Sequence, residues 1–213
     1  MKKDNRLYEL RVYFANPGML DKLVSRFEHH TFHFFAKHKM QVVGLWLPLN
    51  NSENKVIYIL SFPNQKAYEK SWEDFKNDPE WIAIKAQSSC GGELVASMKT
   101  MVMHTFDFSP DHLTLGEHHL FELQTYKMTP NNLELLRPML GQPNVRLFQK
   151  DQVSIIKYWE AAEQEGDKSN LLICLLVHKV QKEGQEAGKE GNIFLPGLVR
   201  SEYLQAMSFS PLK

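Results

Sequence analysis

Apolar and polar positions along the first half of the chain follow two different periods. Residues 7–14 are rich in apolar, aromatic and β-branched side chains, which predicts a strand. Between residues 19 and 37 the apolar side chains follow helical spacing, which predicts an amphipathic helix. Residues 40–49 and 55–62 have the composition of two strands, and the polar loop between them indicates a hairpin.

The pattern continues with a second helix and a fourth strand. Aromatic residues around Trp72 fall at helical spacing. We expect an interruption at Asp78-Pro79, because the residue before a proline disfavours helical backbone, and a continuation of the helix after it. Residues 93–106 predict the last strand. The order β-α-β-β-α-β is the ferredoxin-like motif, an α+β fold.

The second half of the chain repeats the first. The segment LYELRVY at residues 7–13 reappears as LFELQTY at residues 120–126. Trp46 and Trp159 lie within the similar segments VVGLW and SIIKYW, and the offset between them equals that between Tyr8 and Phe121. Two separate matches in one register indicate a tandem duplication.

The duplication predicts two units, residues 1–110 and residues 111–213, with a boundary in the polar residues 109–118. The second unit is the more degenerate one. Its first helix is weakened by Pro130, Pro138 and Pro143, and a stretch rich in Gly, Glu and Lys replaces its second helix at residues 179–192.

Each unit needs a cover for one face of its sheet. A four-stranded sheet with both helices on one side leaves the other side bare. We therefore predict that the two sheets pack face to face and close into a barrel with a central cavity and the helices outside. In the alternative arrangement, a second chain supplies the partner sheet.

Composition excludes several classes of protein. Lys+Arg and Asp+Glu both number 25, so the formal net charge is zero, which argues against a nucleic-acid partner. Cys90 and Cys174 lie far apart and outside any ligand-spaced cluster, so neither a disulfide framework nor a zinc site is expected. No apolar stretch approaches the ~18 residues of a membrane span, and the N-terminus lacks a signal-peptide pattern. We predict a cytoplasmic, soluble chain with no membrane partner.

Five segments of the first unit together resemble the NIPSNAP family: YELRVY (8–13), the Asn-Pro-Gly turn (16–18), RFEHHTFHFFAKHKM (26–40), VVGLW (42–46) and FKNDPEW (75–81). The second unit is similar only at its strands. Two positions depart from the pattern: Lys39 follows His38 where the family usually has glycine, and Gln124 stands in the second unit where the first has Arg11. The second unit also lacks the DPEW segment.

The resemblance implies the dimeric α+β barrel fold, here built from tandem ferredoxin-like units. That fold includes small-molecule monooxygenases, isomerases and haem enzymes, alongside members with no assigned activity. Fold analogy therefore does not supply a function, and the sequence leaves open whether the protein is an enzyme.

Strand alternation suggests which side chains line the barrel cavity. In the first strand we expect the apolar set Tyr8, Leu10, Val12 and Phe14 to meet the helices and the alternate set to face the cavity. The predicted ligand-binding residues are Glu9, Arg11 and Tyr13, their equivalents Glu122, Gln124 and Tyr126, and the two tryptophans Trp46, which shares a face with Gly44, and Trp159.

Such a lining suits a small aromatic or acidic molecule. Arg11 would hold a carboxylate or phenolate, and Glu9 would accept a proton if burial raises its pKa. Under the alternative interpretation, Glu9 pairs with Arg11, or Arg11 with Glu122, and the pair only neutralises the interior of a closed sheet.

The histidines of the first helix are further candidates for a functional role. His29 and His33 are four residues apart on a face opposite the phenylalanines, which predicts solvent exposure, and no metal site is predicted. His30 and His38 lie nearer the buried side and match histidines common in the family. We expect backbone carbonyls to satisfy a helix-end histidine; the alternative is an acid/base role at the cavity edge, which makes His30 a catalytic candidate beside Glu9 and Arg11.

Three functional hypotheses follow. The first is a small-molecule binder, with cofactor-independent monooxygenase or isomerase-type chemistry as its catalytic form. The second is a non-catalytic interaction module with a filled barrel interior and an exposed apolar patch near Trp72 or Trp81. The third is haem binding through His30 or His38; otherwise no cofactor is predicted. Homo-oligomerisation through helices or free sheet edges suits this fold.

Overall fold

The structure is a computed structural model, and it describes residues 4–105, 119–140, 153–162, 170–179 and 197–213. The predicted boundary at residues 109–118 lies outside the described residues. Pro143 and nearly all of residues 179–192 also lie outside them.

The described residues form eight strands in antiparallel pairs, together with helices, so the predicted α+β class is confirmed. The strands are β1 (Leu7–Ala15), β2 (Gln41–Pro48), β3 (Lys55–Phe62), β4 (Val95–Thr105), β5 (His119–Met128), β6 (Val153–Ala161), β7 (Asn170–Lys179) and β8 (Leu198–Ala206). The helices are α1 (Leu20–Arg26), α2 (Phe32–Lys37), α3 (Gln65–Asn77), α4 (Pro79–Ser88) and α5 (Pro130–Leu140), with a π-helical turn at Phe27–Thr31. Among the described residues, no helix combines the length and the apolar character needed to span a lipid bilayer.

The chain forms two compact units. The N-terminal unit consists of Arg6–Val102 and Met207–Leu212, and the C-terminal unit contains Met103–Ala206. The division therefore falls inside β4.

In the N-terminal unit, β3 lies between β1 and β2. It pairs with β1 from Leu7↔Phe62 to Phe14↔Lys55, and with β2 up to Trp46↔Ile57. All eight residues of β3 are buried. Its sequence, KVIYILSF, is a nearly continuous apolar run, as expected for a central strand that is covered on both faces.

The first predicted helix forms as one run from Leu20 to Lys37, with the π-helical turn in its middle. The backbone N–H of Phe32 donates to the carbonyl of Phe27, five residues back. The Thr31 hydroxyl donates to the carbonyl of Arg26 at 3.1 Å. The wider turn changes the helical phase between the two ends of the run, and such turns are frequent at functional sites.

The backbone conformation at Lys39 is one that favours glycine, the residue that the family usually has at this position. Its φ is 60°, in the left-handed region that glycine adopts without steric cost. The chain turns there into β2, and the backbone N–H of Met40 donates to the carbonyl of Phe35.

The predicted interruption at Asp78-Pro79 is confirmed. Asp78 has extended backbone and separates α3 from α4, and Pro79 occupies the first turn of α4. The Asp78 carboxylate accepts hydrogen bonds from the backbone N–H groups of Glu80 (2.9 Å) and Trp81 (3.3 Å). Asp78 therefore caps α4 at the point where α3 ends.

The core of the N-terminal unit lies between the sheet and the helices. Alternate residues of β3, Val56, Tyr58 and Leu60, face it and pack against aromatic side chains of the helices. The principal helical members are Phe27, Phe34, Phe35, Trp72, Phe75 and Trp81.

In the C-terminal unit, β5 lies between β7 and β8, and β7 pairs with β6. The last residues of β4 pair with the end of β6, with Thr105 opposite Trp159. The helix that its prolines were expected to weaken is present as α5, with Pro130 at its first position. Leu133 and Leu136 of α5 pack against the face of the sheet that includes Tyr126.

Both units contain the same irregularity. The register of β2 against β3 shifts between Val42 and Gly44, and that of β6 against β7 shifts between Ile155 and Lys157. The offset in residue number between the two shifts is the one that relates the matching segments of the sequence.

Candidate functional site

Glu9, Arg11 and Tyr13 project from β1 toward the helices, so the face predicted for them is wrong. The Trp72 indole N–H of α3 donates to Glu9 Oε2 at 2.9 Å. The Arg11 guanidinium lies 4.2 Å from the Trp72 ring centroid, and the Tyr13 ring lies 6.0 Å from that of Phe27. Hydropathy misled the assignment because β1 is buried over most of both faces, so its apolar set does not identify the helix side.

Glu9 and Arg11 form a buried ion pair, with 3.2 Å between Arg11 Nη1 and Glu9 Oε1. The Tyr68 hydroxyl also donates to Glu9, at 3.4 Å. Burial raises the pKa of Glu9, while the charge of Arg11 and the hydrogen bonds from Trp72, Tyr68 and Arg11 act in the opposite direction. The alternative interpretation predicted that Glu9 pairs with Arg11, and this pairing is confirmed.

A cavity of about 720 Å³ opens beside this pair, inside the N-terminal unit. Its walls come from α1 and the π-helical turn, α3, α4, β1 and the first residues of β4, and we call it the helix-side cavity. Aromatic side chains make up much of its lining, and its residues include Arg11, Tyr13, Arg26, Phe27, Thr31, Phe35, Trp72, Phe75, Trp81, Ser89 and Met98. The volume lies within the range of small-molecule sites.

Arg26, at the end of α1, is a buried cation in this lining, with only 8% of its surface exposed. Its Nη1 donates to the Ser89 hydroxyl at 3.5 Å, and its guanidinium lies 5.9 Å from the Trp81 ring centroid. No carboxylate oxygen of the described residues lies within 4.0 Å of its side-chain nitrogens. Burial lowers the pKa of Arg26, and Tyr13 and Glu93 partly oppose that effect.

Arg11 also has unused hydrogen-bonding capacity. Its Nη2 donates to the Met98 sulfur at 3.2 Å, a weak acceptor. Its Nε is buried and has no hydrogen-bond partner among the described residues. The helix-side cavity is therefore bordered by two guanidinium groups whose donors are incompletely used.

Other predicted site residues lie elsewhere. Glu9 contacts Arg11 and Trp72 but does not line the helix-side cavity. His30 is half-buried and does not line the cavity either. Trp46 is fully buried on the face of β2 turned away from the helices, because its neighbour Leu45 belongs to the helix-side core. The prediction that Gly44 shares the face of Trp46 is confirmed, since a Cβ at Gly44 would overlap the indole ring.

Three predicted residues of the C-terminal unit, Glu122, Gln124 and Tyr126, are linked to one another by hydrogen bonds. The Tyr126 hydroxyl donates to Gln124 Oε1 at 2.5 Å, and Gln124 Nε2 donates to Glu122 Oε1 at 2.7 Å. Ser201 donates to the same carboxylate, and His178 Nε2 lies 2.8 Å from its other oxygen. Burial acts to raise the pKa of Glu122, but the hydrogen bonds from His178, Ser201 and Gln124 prevail and lower it.

Trp159 is placed in the same way as Trp46. It is fully buried, and its neighbour Tyr158 packs in the cluster beneath α5, so Trp159 points to the opposite face of the sheet. The two tryptophans therefore lie on the sheet faces opposite the helices, whereas the Glu, Arg and Gln candidates lie on the helix faces.

The remaining histidine predictions are correct for His29 and His33 and wrong for the partner of His38. His29 and His33 are exposed, as predicted. His38 bonds the carboxylate of Asp78 at 2.7 Å instead of backbone carbonyls. Lys37 also reaches that carboxylate, at 2.8 Å. This cluster joins the end of α2 to the start of α4.

Arg26 and Ser89 are the site residues that the sequence analysis missed. One signal could have identified Arg26: it stands three residues after Leu23 and directly before Phe27, on the apolar side of the first helix. A cation at that spacing differs from the solvated arginines of an outer helix face. Ser89 belongs to a loop, and no sequence pattern points to it.

Comparison with known proteins agrees with this architecture. The chain contains an α+β domain whose helices and sheet enclose a small-molecule-sized cavity. The NIPSNAP family model matches residues 8–110, so the family resemblance is confirmed and this part of the chain is a NIPSNAP domain. A search of curated proteins finds no match to the sequence.

Solved structures resemble either the whole chain or half of it. An anthrone oxidase-like protein is 11% identical, with a TM-score of 0.62, over 97% of this chain and 94% of its own. A candidate monooxygenase from Lactobacillus acidophilus NCFM is 8% identical, with a TM-score of 0.60, over 95% and 94%. An uncharacterised NIPSNAP domain protein from Burkholderia xenovorans is 16% identical over 49% of this chain and 99% of its own, with a TM-score of 0.44. At these identities, the two whole-chain similarities show the fold alone.

Proposed function

We propose that the N-terminal unit binds a small aromatic or acidic molecule in the helix-side cavity. The observation that carries this proposal is an open volume of about 720 Å³ between aromatic walls, bordered by the buried guanidinium groups of Arg11 and Arg26. Apolar pockets with a few polar groups at fixed positions are the usual form of small-molecule sites.

The aromatic walls favour a flat ligand. Phe75 lies 4.7 Å from Trp81 and 5.5 Å from Trp72 between ring centroids. Each of these three side chains contributes to the lining. A planar ring that enters the cavity would contact aromatic faces and edges, which attract it beyond the area that it buries.

The names of the whole-chain neighbours suggest oxygenation or oxidation of an aromatic substrate. We extend the proposal to cofactor-independent monooxygenase or isomerase-type chemistry only as its catalytic form, by analogy with these neighbours of similar fold. In that form Arg11 would stabilise a developing anion. Glu9 does not line the cavity, so its role would be to orient Arg11 through their ion pair.

The interaction-module hypothesis has less support. It predicts an exposed apolar patch near Trp72 or Trp81. These two side chains are only 7% and 8% exposed, and the exposed apolar neighbour of Trp81, Ile82, is part of the cavity lining. Haem binding has even less support. His38 is bonded to Asp78, and neither it nor His30 lines the helix-side cavity.

We also infer that the chain is a tandem duplication. A constant offset between matching positions supports this, both in the sequence and in the register shifts of the two sheets. The loss of the Arg11 equivalent at Gln124, whose side chain is engaged by Glu122 and Tyr126, supports one such site per chain. Homo-oligomerisation and a cytoplasmic location stay predictions from the sequence.

A blocking substitution tests the binding proposal. Ala86 of α4 lines the helix-side cavity, and a tryptophan there would occupy its mouth. We expect A86W to weaken binding of β-naphthoate, a flat aromatic acid, by at least about tenfold in isothermal titration calorimetry. The matched control A83W places the same residue at an exposed position of α4 outside the lining. Equal binding by wild type, A86W and A83W, or no binding by wild type, would refute the proposal.

A further inference from the structure

The two arginines of the helix-side cavity differ in their partners. Arg11 is paired with Glu9 at 3.2 Å and stacks on Trp72. Arg26 is equally buried, yet its hydrogen bond to Ser89 is long and no carboxylate of the described residues is within ion-pair distance.

A buried cation without a paired carboxylate is costly. Removing a charged group from water disfavours folding unless an opposite charge or several hydrogen bonds replace the solvent. The local backbone also fixes where Arg26 lies, because the π-helical turn begins directly after it and Thr31 holds its carbonyl. Arg26 therefore stays beside the cavity without a paired carboxylate. The acidic side chain of the lining, Glu93, is exposed and lies beyond ion-pair distance, so it offsets the charge of Arg26 only in part.

We propose that Arg26 and Ser89 form the anion subsite of the helix-side cavity, and that its ligand is an aromatic molecule carrying a single anionic group. The ring lies against Trp81 and Phe75, and the anionic oxygens accept hydrogen bonds from Arg26 and from the Ser89 hydroxyl. This inference rests on the proposed function of the same cavity and deepens it by naming the ligand class.

The other cations near the site do not fill this role. Lys76 and Lys85 also line the cavity, but both are exposed and remain hydrated. The charge of Arg11 is opposed by Glu9, and its unpartnered Nε is buried. A ligand that carries one anionic group in its resting state therefore needs only Arg26 for that charge.

A pair of probes of equal shape tests the charge requirement. β-Naphthoate carries the anionic group, and β-naphthamide replaces it with a neutral amide. We expect the wild-type protein to prefer the acid roughly ten- to hundredfold, the effect of a charge-assisted hydrogen bond in a desolvated site. We expect R26Q to lose that preference while its affinity for the amide stays unchanged, and S89A to lose part of it.

Three further variants keep the result interpretable. R200Q removes an exposed arginine of the C-terminal unit and should behave as wild type toward both probes. R26K retains the charge without the planar fork and should retain part of the preference. R26Q should also unfold at a urea midpoint no lower than that of wild type, because it removes a buried charge that has no carboxylate partner, and a lower midpoint would contradict this assignment.

The failures of the two proposals are distinct. If the wild-type protein binds neither probe, both the proposed function and this inference are wrong. If it binds acid and amide equally, or if R26Q retains the preference, the cavity is a binding site but Arg26 is not its anion subsite.

Discussion

The guanidinium of Arg11 lies 4.2 Å from the ring centroid of Trp72, and the indole N–H of Trp72 donates to Glu9, the ion-pair partner of Arg11. One side chain of α3 thus contacts both charges of a buried pair on β1. This arrangement turns the polar face of β1 toward the helices and places Arg11 at the edge of the helix-side cavity.

Breaking the Glu9–Arg11 pair should be strongly destabilising. R11M leaves the Glu9 carboxylate buried, without its cation, and should lower the free energy of unfolding by about 3–5 kcal/mol. The double variant E9Q/R11M removes both charges and should be more stable than R11M alone. Urea unfolding of wild type, both single variants and the double variant measures the coupling. Additive effects would show that the pair is not an energetic unit.

Lys39 should be a site where glycine stabilises the protein. Its φ of 60° costs a side-chain-bearing residue steric strain that glycine avoids. We expect K39G to raise the free energy of unfolding by about 1 kcal/mol. K39A is the matched control, since it shortens the side chain and keeps the strain. If alanine stabilised as much as glycine, the gain would come from the lysine side chain and not from the backbone.

Asp78 should make stability depend on pH in the acid range. Hydrogen bonds from Lys37, from His38 and from the backbone at the start of α4 hold its pKa well below its ordinary value. A carboxylate with a lowered folded-state pKa stabilises the fold above its unfolded-state pKa, about 3.9, and loses that contribution as the pH falls toward the folded-state value.

The variant D78N isolates this contribution. We expect D78N to lower the Tm at about pH 6 and to approach wild type as the pH is lowered to about 3, where the wild-type carboxylate begins to lose its advantage. Thermal unfolding followed by circular dichroism at both pH values gives the comparison. A constant difference between D78N and wild type would assign the loss to the cap geometry alone.

Gly44 should resist substitution because the Trp46 ring occupies the space of a Cβ. Trp46 is fully buried, so the ring has little freedom to move away. We expect G44A to lower the free energy of unfolding by about 1–3 kcal/mol through overpacking. Adding W46F, which shortens the aromatic side chain, should recover part of the loss. If the double variant G44A/W46F lost more unfolding free energy than the two single variants together, the steric explanation would be wrong.

The sequence predicted those features that depend on local periodicity. The first helix, the hairpin and the interruption at Asp78-Pro79 follow from spacing and from the backbone limits of proline, and the structure contains all three. The exposure of His29 and His33 follows from the same helical spacing.

The orientation of β1 could not be predicted, because it depends on tertiary contacts. A strand buried on both faces has no solvent side, so alternation separates two sets of residues without assigning either one to the helices. Only the donors of α3, Trp72 and Tyr68, decide that the charged set faces them. The π-helical turn, which helps to place Arg26, likewise has no sequence signature.

Fluorine NMR of the protein labelled with 5-fluorotryptophan is the most direct test of the helix-side cavity as the binding site. The chain has four tryptophans: Trp72 and Trp81 line the cavity, while Trp46 and Trp159 are buried on the opposite faces of their sheets. Addition of β-naphthoate should shift the signals of Trp72 and Trp81 and leave the other two in place. Shifts confined to Trp46 and Trp159 would place the ligand on the sheet faces turned away from the helices and contradict the account.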